Sequence, residues 1–287
     1  MSRIAYVNGR FAPHRAACVH IEDRGYQFSD GVYEVIAFRR RALIDRDRHF
    51  DRLGRSLAEL RIAQPMSRRA LELVIGEVVR RNGLDAGTVY LQMTRGVAPR
   101  DHAFPAKAET QLVITARRPR PLPARLLEEG VKIIALRDER WSRCDIKSIA
   151  LLPNVLAKQT AREAGAFEAW LLDDQGMITE GSSSNAWIVS SAGELVTRRA
   201  GHAILNGVTR MEVVDLARQA GIRLVERAFS IAEAKAAGEA FITSTTLGVL
   251  PVSRIDDQIL GNGKPGPITQ RLLQMLEGRG ADVGMSQ

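Results

Sequence analysis

Lys147 lies in the stretch RCDIKSIALLPN and is one of only six lysines in a chain with 41 Lys plus Arg. A lysine amine condenses with a carbonyl to form an imine and gives up its proton when desolvated, and an arginine does neither near neutral pH. The flanking residues Asp145, Ile146, Ile149, Leu151 and Leu152 provide few polar neighbours and one nearby acid. That setting suits a Schiff-base lysine.

Four other segments carry groups that could serve such a lysine. In MITEGSSSNAW, Glu180 precedes Gly181, Ser182, Ser183, Ser184 and Asn185. A Gly-Ser turn offers N–H groups and hydroxyls to an anion, or is an ordinary polar turn between strands. The carboxylate of Glu180 could hold a proton on a pyridine nitrogen and so strengthen an electron sink. In LNGVTRMEVVDLA, Asn206-Gly207 reads as a tight turn and Thr209 as the opening of an apolar-periodic helix. Such an end is either a phosphate site or a plain Thr cap. In FITSTTLGVLPV, the hydroxyls of Thr243, Ser244, Thr245 and Thr246 follow a strand and could also hold phosphate. In TRGVAPRDHAFP, Arg95, Arg100 and His102 share one short segment, which suits a carboxylate or is simply a surface loop. Arg52 falls outside the apolar stripe of its helix, where it either reaches an anion or is a solvated charge.

The elements that must position these groups are legible from periodicity. Strands are expected at residues 4–7, 32–38, 89–94 and 111–116. Between the second and third lie helices at about 48–60 and 67–81. The first carries Phe50, Leu53, Leu57 and Leu60 on one stripe. The second carries Leu71, Leu73, Val74, Val78 and Val79 and is ended by Gly83. Pro119, Pro121 and Pro123 then predict a stiff, extended break. It places an N-terminal α+β domain at 1–118, a linker at 119–124 and a C-terminal α+β domain at 125–287. In the latter, strands are expected at 131–135, 169–172, 186–189, 223–226 and 239–242, and helices at about 154–164, 209–219, 231–237 and 268–276. The order is mixed and not a regular βαβ alternation, so the class is α+β.

Composition narrows the field further. Hydrophobic content of 45% and charged content of 26% fit a globular protein that buries a sizeable core. Cys18 and Cys144 are too few for a disulfide framework, and MSRIAYVNGRF lacks the apolar run of a signal peptide. No stretch is long and apolar enough to span a bilayer. A cytoplasmic protein without membrane attachment is expected. The net charge of +8 raises the possibility of nucleic acid. The arginines are dispersed, however, and no basic stretch alternates with aromatics, so a basic nucleic-acid-binding module is only a remote alternative. No HExxH, CxxC pair or metal-ligand spacing of the five histidines points to a metal.

The segments EDRGYQFSDGVYEV, HFDRL, TRGVAPRDHAFP, CDIKS, LLPNVLAKQ, ITEGSSSN, LNGVTR and TSTT, in order from Glu22 to Val252, resemble the fold-type-IV (class IV) pyridoxal-phosphate enzymes. Within that group the chain is most similar to the D-amino-acid aminotransferases. The resemblance implies a two-domain α+β fold with pyridoxal 5′-phosphate between the domains. It implies that Lys147 forms the Schiff base and Glu180 partners the pyridine nitrogen. Arg52, the backbone at Val208 and Thr209 and the Thr245 hydroxyl would form the phosphate cup. Ser183, Ser184, Gly207, Ser244 and Thr246 join the cofactor-binding set, and Leu205 packs on the ring. Tyr33, Arg100 and His102 would trap the substrate α-carboxylate, with Val35 beside Tyr33. The arginine and histidine would be contributed across a homodimer. Leu247-Gly248 follow TSTT where the family has a more polar residue. The implied reaction is ping-pong transamination between a D-amino acid and a 2-oxo acid. An (R)-selective amine transaminase, a branched-chain L-aminotransferase and an aminodeoxychorismate lyase are the alternatives on the same fold.

Overall fold

The computed structural model describes residues 3–282. The chain forms two compact units. One holds the chain up to Arg120 together with Ile146–Ala150, and the other holds Pro121–Asp145 and Leu151–Asp282.

The first unit comprises β1 (Ile4–Val7), β2 (Arg10–Pro13), α1 (Arg24–Phe28), β3 (Gly31–Arg39), β4 (Ala42–Leu43), α2 (Arg46–Glu59), α3 (Arg68–Arg81), β5 (Ala86–Thr94) and β6 (Gln111–Arg117). Its strands form a six-stranded antiparallel sheet in the order β2-β1-β6-β5-β3-β4. Side chains alternate along a strand. In β3, Val32, Glu34, Ile36 and Phe38 are therefore buried, and Tyr33, Val35 and Ala37 are half-buried on the opposite face. Phe50, Leu53 and Leu57 of α2 share an apolar core with Ile75, Val78 and Val79 of α3 and with Val32, Ile36 and Phe38. Leu73, expected in the α3 stripe, is instead 68% exposed. A 3.6-residue period running from Leu71 reaches Ile75, Val78 and Val79 and leaves position 73 on the outer face.

The return of residues 146–150 to this unit has no sequence signal. Tyr33 N donates to Lys147 O at 3.0 Å, and Ile149 N to Gly31 O at 3.1 Å. Lys147 is thus tied by its backbone to the start of β3.

The second unit comprises α4 (Ala124–Glu129), β7 (Val131–Arg137), α5 (Leu152–Glu163), β8 (Glu168–Leu172), β9 (Ile178–Gly181), β10 (Asn185–Val189), β11 (Leu195–Thr197), α6 (Val208–Gln219), β12 (Leu224–Glu226), α7 (Ile231–Lys235), β13 (Glu239–Ser244), β14 (Gly248–Ile255), β15 (Gln258–Ile259) and α8 (Pro267–Asp282). Its nine-stranded sheet is ordered β12-β11-β10-β13-β14-β7-β8-β9, with β15 paired to β14. Parallel pairs (β7 with β8 and β14, β11 with β12) mix with antiparallel ones. The core includes Trp187 stacked on Phe241 of the neighbouring strand, with ring centroids 5.4 Å apart. Strand β14 escaped the sequence reading because Pro251 sits in its middle, where a missing N–H argues against a paired strand. Among the described residues, no helix is long and apolar enough to cross a membrane.

Candidate active site

In the first unit the polar centre is Glu34. It occupies the core-facing phase of β3, where Val32, Ile36 and Phe38 are its neighbours, and it is wholly buried. A carboxylate there must be paired. Arg52 supplies the pairing as a fork: Nε donates to Oε1 at 2.7 Å and Nη2 to Oε2 at 2.8 Å. His49 Nδ1 lies 2.8 Å from Oε2 and, facing an ionised acceptor, must carry the proton. Arg52 is therefore a buried, oriented cation and not a solvated helix charge. His49, Arg52 and Ser56 recur at helical spacing along α2, forming a polar stripe beside the apolar one.

Burial pushes the Glu34 carboxyl up, but the charge and hydrogen bonds of Arg52 and the bond from His49 outweigh it and pull it down to about 2. The His49 imidazole is held below its ordinary value by burial, which the bond to Glu34 only partly offsets. A carboxyl depressed on folding stabilises the protein above its ordinary value near 4.5, and that contribution is lost as pH falls towards 2. For Glu34 it is worth about 3 kcal/mol. Urea midpoints measured against pH should therefore drop between those two values, with a shallower drop in Glu34→Gln. Equal slopes in both proteins would contradict the assignment.

Ser56 leads from this cluster to Lys147, since Lys147 N donates to Ser56 Oγ at 3.3 Å. The Lys147 ammonium nitrogen sits 4.3 Å from the centre of the Tyr33 ring. Tyr33 in turn lies 5.7 Å, centre to centre, from Tyr90 on β5, whose hydroxyl donates to Gln92 Oε1 at 2.6 Å. Burial first, then the neighbouring Tyr33, pushes the Tyr90 phenol up to about 12, so it is a neutral donor. Val35 shares this face of β3 and stands opposite Tyr90 in the ladder. The loop bearing Arg100 and His102 is exposed. Both residues gather on Phe28, Arg100 at 4.6 Å over its ring and His102 with ring centres 5.3 Å apart.

In the second unit the centre is Glu180, which is buried at the end of β9. Arg140 Nη1 donates to its Oε1 at 2.5 Å, Asn185 Nδ2 to its Oε2 at 2.9 Å, and Leu205 N lies 3.1 and 3.2 Å from the two oxygens. Arg140 also forks onto Asp138 at 2.9 and 2.8 Å. Although burial opposes it, this pairing holds the Arg140 guanidinium above its ordinary value, so it is a permanent cation beside Glu180. Sequence reasoning gave no individual role to Arg140, Asn185, Glu34 or His49. Only Glu34 left a signal, a charge in the apolar phase of a strand.

The serine turn behaves differently from its expected role. Ser182, Ser183 and Ser184 all donate their hydroxyls to the buried carboxylate of Glu168 on β8, the latter two at 2.8 and 3.2 Å. The turn is held from within by a charge that needs those donors. Helix α6 starts at Val208, with Gly207 in an extended conformation as its cap and no side-chain cap bond. Thr209 is thus inside the first turn and is not the cap. A Cβ on Gly207 would lie 2.2 Å from Asn185 Oδ1, so only glycine admits Asn185 beside Glu180. Ser244 ends β13, and Thr245 and Thr246 begin the β13–β14 turn, where Ser244 Oγ and Thr246 Oγ1 are 3.4 Å apart.

Taken separately, each unit carries groups of a kind that pyridoxal 5′-phosphate needs. Lys147 offers an amine for an aldehyde. Glu180 is a buried acceptor for a pyridinium N–H. The α6 terminus, free of a side-chain cap, offers N–H groups to a phosphate. Among the described residues, no group of three His, Cys, Asp or Glu could hold a metal ion.

Comparison with known proteins identifies the family. The family Amino-transferase class IV matches residues 31–255. The D-alanine aminotransferase of Bacillus licheniformis is 44% identical over 270 residues, 94% of each chain. That of Listeria innocua is 41% identical, covering 93% of this chain and 92% of its own. Among solved structures, the branched-chain amino acid aminotransferase of Escherichia coli superposes with a TM-score of 0.89 at 25% identity, over 97% of this chain and 94% of that one. A T.th. branched-chain enzyme with pyridoxamine 5′-phosphate gives a TM-score of 0.89 at 26% identity, over 98% and 94%. The fold-type resemblance read from the motifs is borne out, and the chain belongs to the class IV aminotransferases.

Proposed function

We propose that the protein catalyses pyridoxal-5′-phosphate-dependent transamination between a D-amino acid of the D-alanine or D-glutamate type and a 2-oxo acid. The observation that carries this reading is the Lys147 amine poised 4.3 Å over the ring of Tyr33. In a class IV aminotransferase, that pairs an imine-forming group with a phenol read as facing the substrate α-carboxylate.

The cofactor, when bound, supplies the sink for the electron pair left at the substrate Cα. Lys147 would hold it through Nζ, and the same amine is the group placed to take and return the substrate's proton. Glu180 keeps the pyridine nitrogen protonated, and Arg140, Asn185 and the Leu205 amide fix the carboxylate for that role. The Leu205 side chain packs on the ring. Arg52, the N–H groups of Val208 and Thr209 beyond Gly207, and the hydroxyls of Ser244, Thr245 and Thr246 hold the phosphate. Ser183 and Ser184 serve through the turn they build, since their hydroxyls already go to Glu168. Tyr33 and Val35 line the substrate side, and Arg100 and His102 bind the α-carboxylate in a homodimer, each protomer serving its partner's site. Residues 119–124 join the two domains, and the enzyme works in the cytoplasm on small amino and oxo acids.

Pyruvate formation from D-alanine should require a 2-oxo acid acceptor and give the parallel double-reciprocal lines of a ping-pong enzyme. Pyruvate released from aminodeoxychorismate without an acceptor would replace this reading by a lyase. The superposition on branched-chain enzymes favours L-leucine transamination as the second reading, and turnover of L-leucine with none of D-alanine would establish it.

A further inference from the structure

We infer that Arg24, clamped with Arg95 on the shared carboxylate of Asp30, is a positioning residue that sets the carboxylate-binding loop around Arg100 and His102. Arg24 is buried, and its guanidinium spends its donors in two directions. Nε donates to Asp30 Oδ2 at 2.8 Å. Nη1 donates to Asp101 O at 2.6 Å and Ala103 O at 3.3 Å, and Nη2 to His102 O at 3.4 Å. One planar fork therefore grips three consecutive carbonyls of a loop whose side chains are otherwise exposed. The guanidinium also lies 4.9 Å over Phe28, the ring on which Arg100 and His102 gather.

Arg95 secures the other flank. It forks onto Asp30 at 2.7 and 3.0 Å, donates to Leu60 O and Arg61 O at 2.7 and 3.0 Å, and lies 3.6 Å over the Phe104 ring. Asp30 immediately precedes β3, the strand that presents Tyr33. The cluster thus ties the Tyr33 strand, the Phe28 platform and the 100–104 loop into one rigid part. A lysine at position 24 would keep the charge on Asp30 but has no planar fork for three carbonyls.

This rests on the carboxylate role proposed for Arg100 and His102, and the test separates the two. Steady-state constants for D-alanine are measured on the holoenzyme for wild type, Arg24→Lys, Arg100→Ala and the double variant. Arg24→Lys should raise KM roughly tenfold or more, with kcat and cofactor absorbance near wild type, because misplaced binding groups cost affinity of that order. Added to Arg100→Ala, it should change KM little, since it acts through that loop. A KM that rises by the full factor in both backgrounds, or a loss of kcat with KM unmoved, overturns the positioning role. A wild-type KM in Arg100→Ala overturns the carboxylate reading itself and this proposal with it. Should Arg24→Lys not fold, Asp30→Asn is read by the same criteria.

Discussion

Lys147→Ala is expected to abolish the visible absorbance of the cofactor-loaded protein and to lower turnover roughly ten-thousandfold or more, since the proposed mechanism gives this one side chain both the hold on the cofactor and the proton transfer. The fold should survive the substitution. Two hydrogen bonds that hold residue 147 use its backbone: its N–H donates to Ser56 Oγ, and its carbonyl accepts from Tyr33 N. Alanine keeps both. Lys147→Arg keeps a cation over the Tyr33 ring yet cannot form an imine, so it should be equally colourless and inactive. Absorbance spectra and initial rates check this, and wild-type colour or rate in either variant would remove Lys147 from the centre of the chemistry.

The second large effect is expected from Glu34→Ala. It takes from the Arg52 guanidinium and the His49 N–H the buried carboxylate that they share, and breaking a buried pair of this kind costs about 3–5 kcal/mol. Urea unfolding should report that loss. Arg52 would also lose the fork that orients it, so the dissociation constant for pyridoxal 5′-phosphate should rise together with the instability. Glu34→Gln keeps the shape but not the charge and should fall between. Unfolding of Glu34→Ala at the wild-type midpoint would contradict the pairing seen at 2.7 and 2.8 Å.

Parts of the fold and of the candidate site are legible in the sequence. Lys147, Glu180 and the α6 terminus stand out because their segments carry imine-forming, acidic and anion-binding residue types. Periodicity located β3, α2 and α3 because each alternates or repeats against a continuous core. It failed where a residue's environment comes from far along the chain. Arg140 sits in an aperiodic loop, and nothing local shows that it forks between Asp138 and Glu180. The serine turn read as either open to an anion or an ordinary polar turn, because Glu168, to which it donates, lies on another strand. The return of residues 146–150 to the β3 strand is likewise a long-range pairing. Glu34 was within reach: one acid in phase with Val32, Ile36 and Phe38 had to be paired, and His49 and Arg52 lay three residues apart on the next helix.

Scanning the holoenzyme's visible absorbance while D-alanine, L-leucine and (R)-1-phenylethylamine are added in turn tests the central claim most directly. D-alanine alone should bleach the visible band, and a 2-oxo acid should then restore it. A band that persists with D-alanine but disappears with L-leucine or the amine would contradict the account.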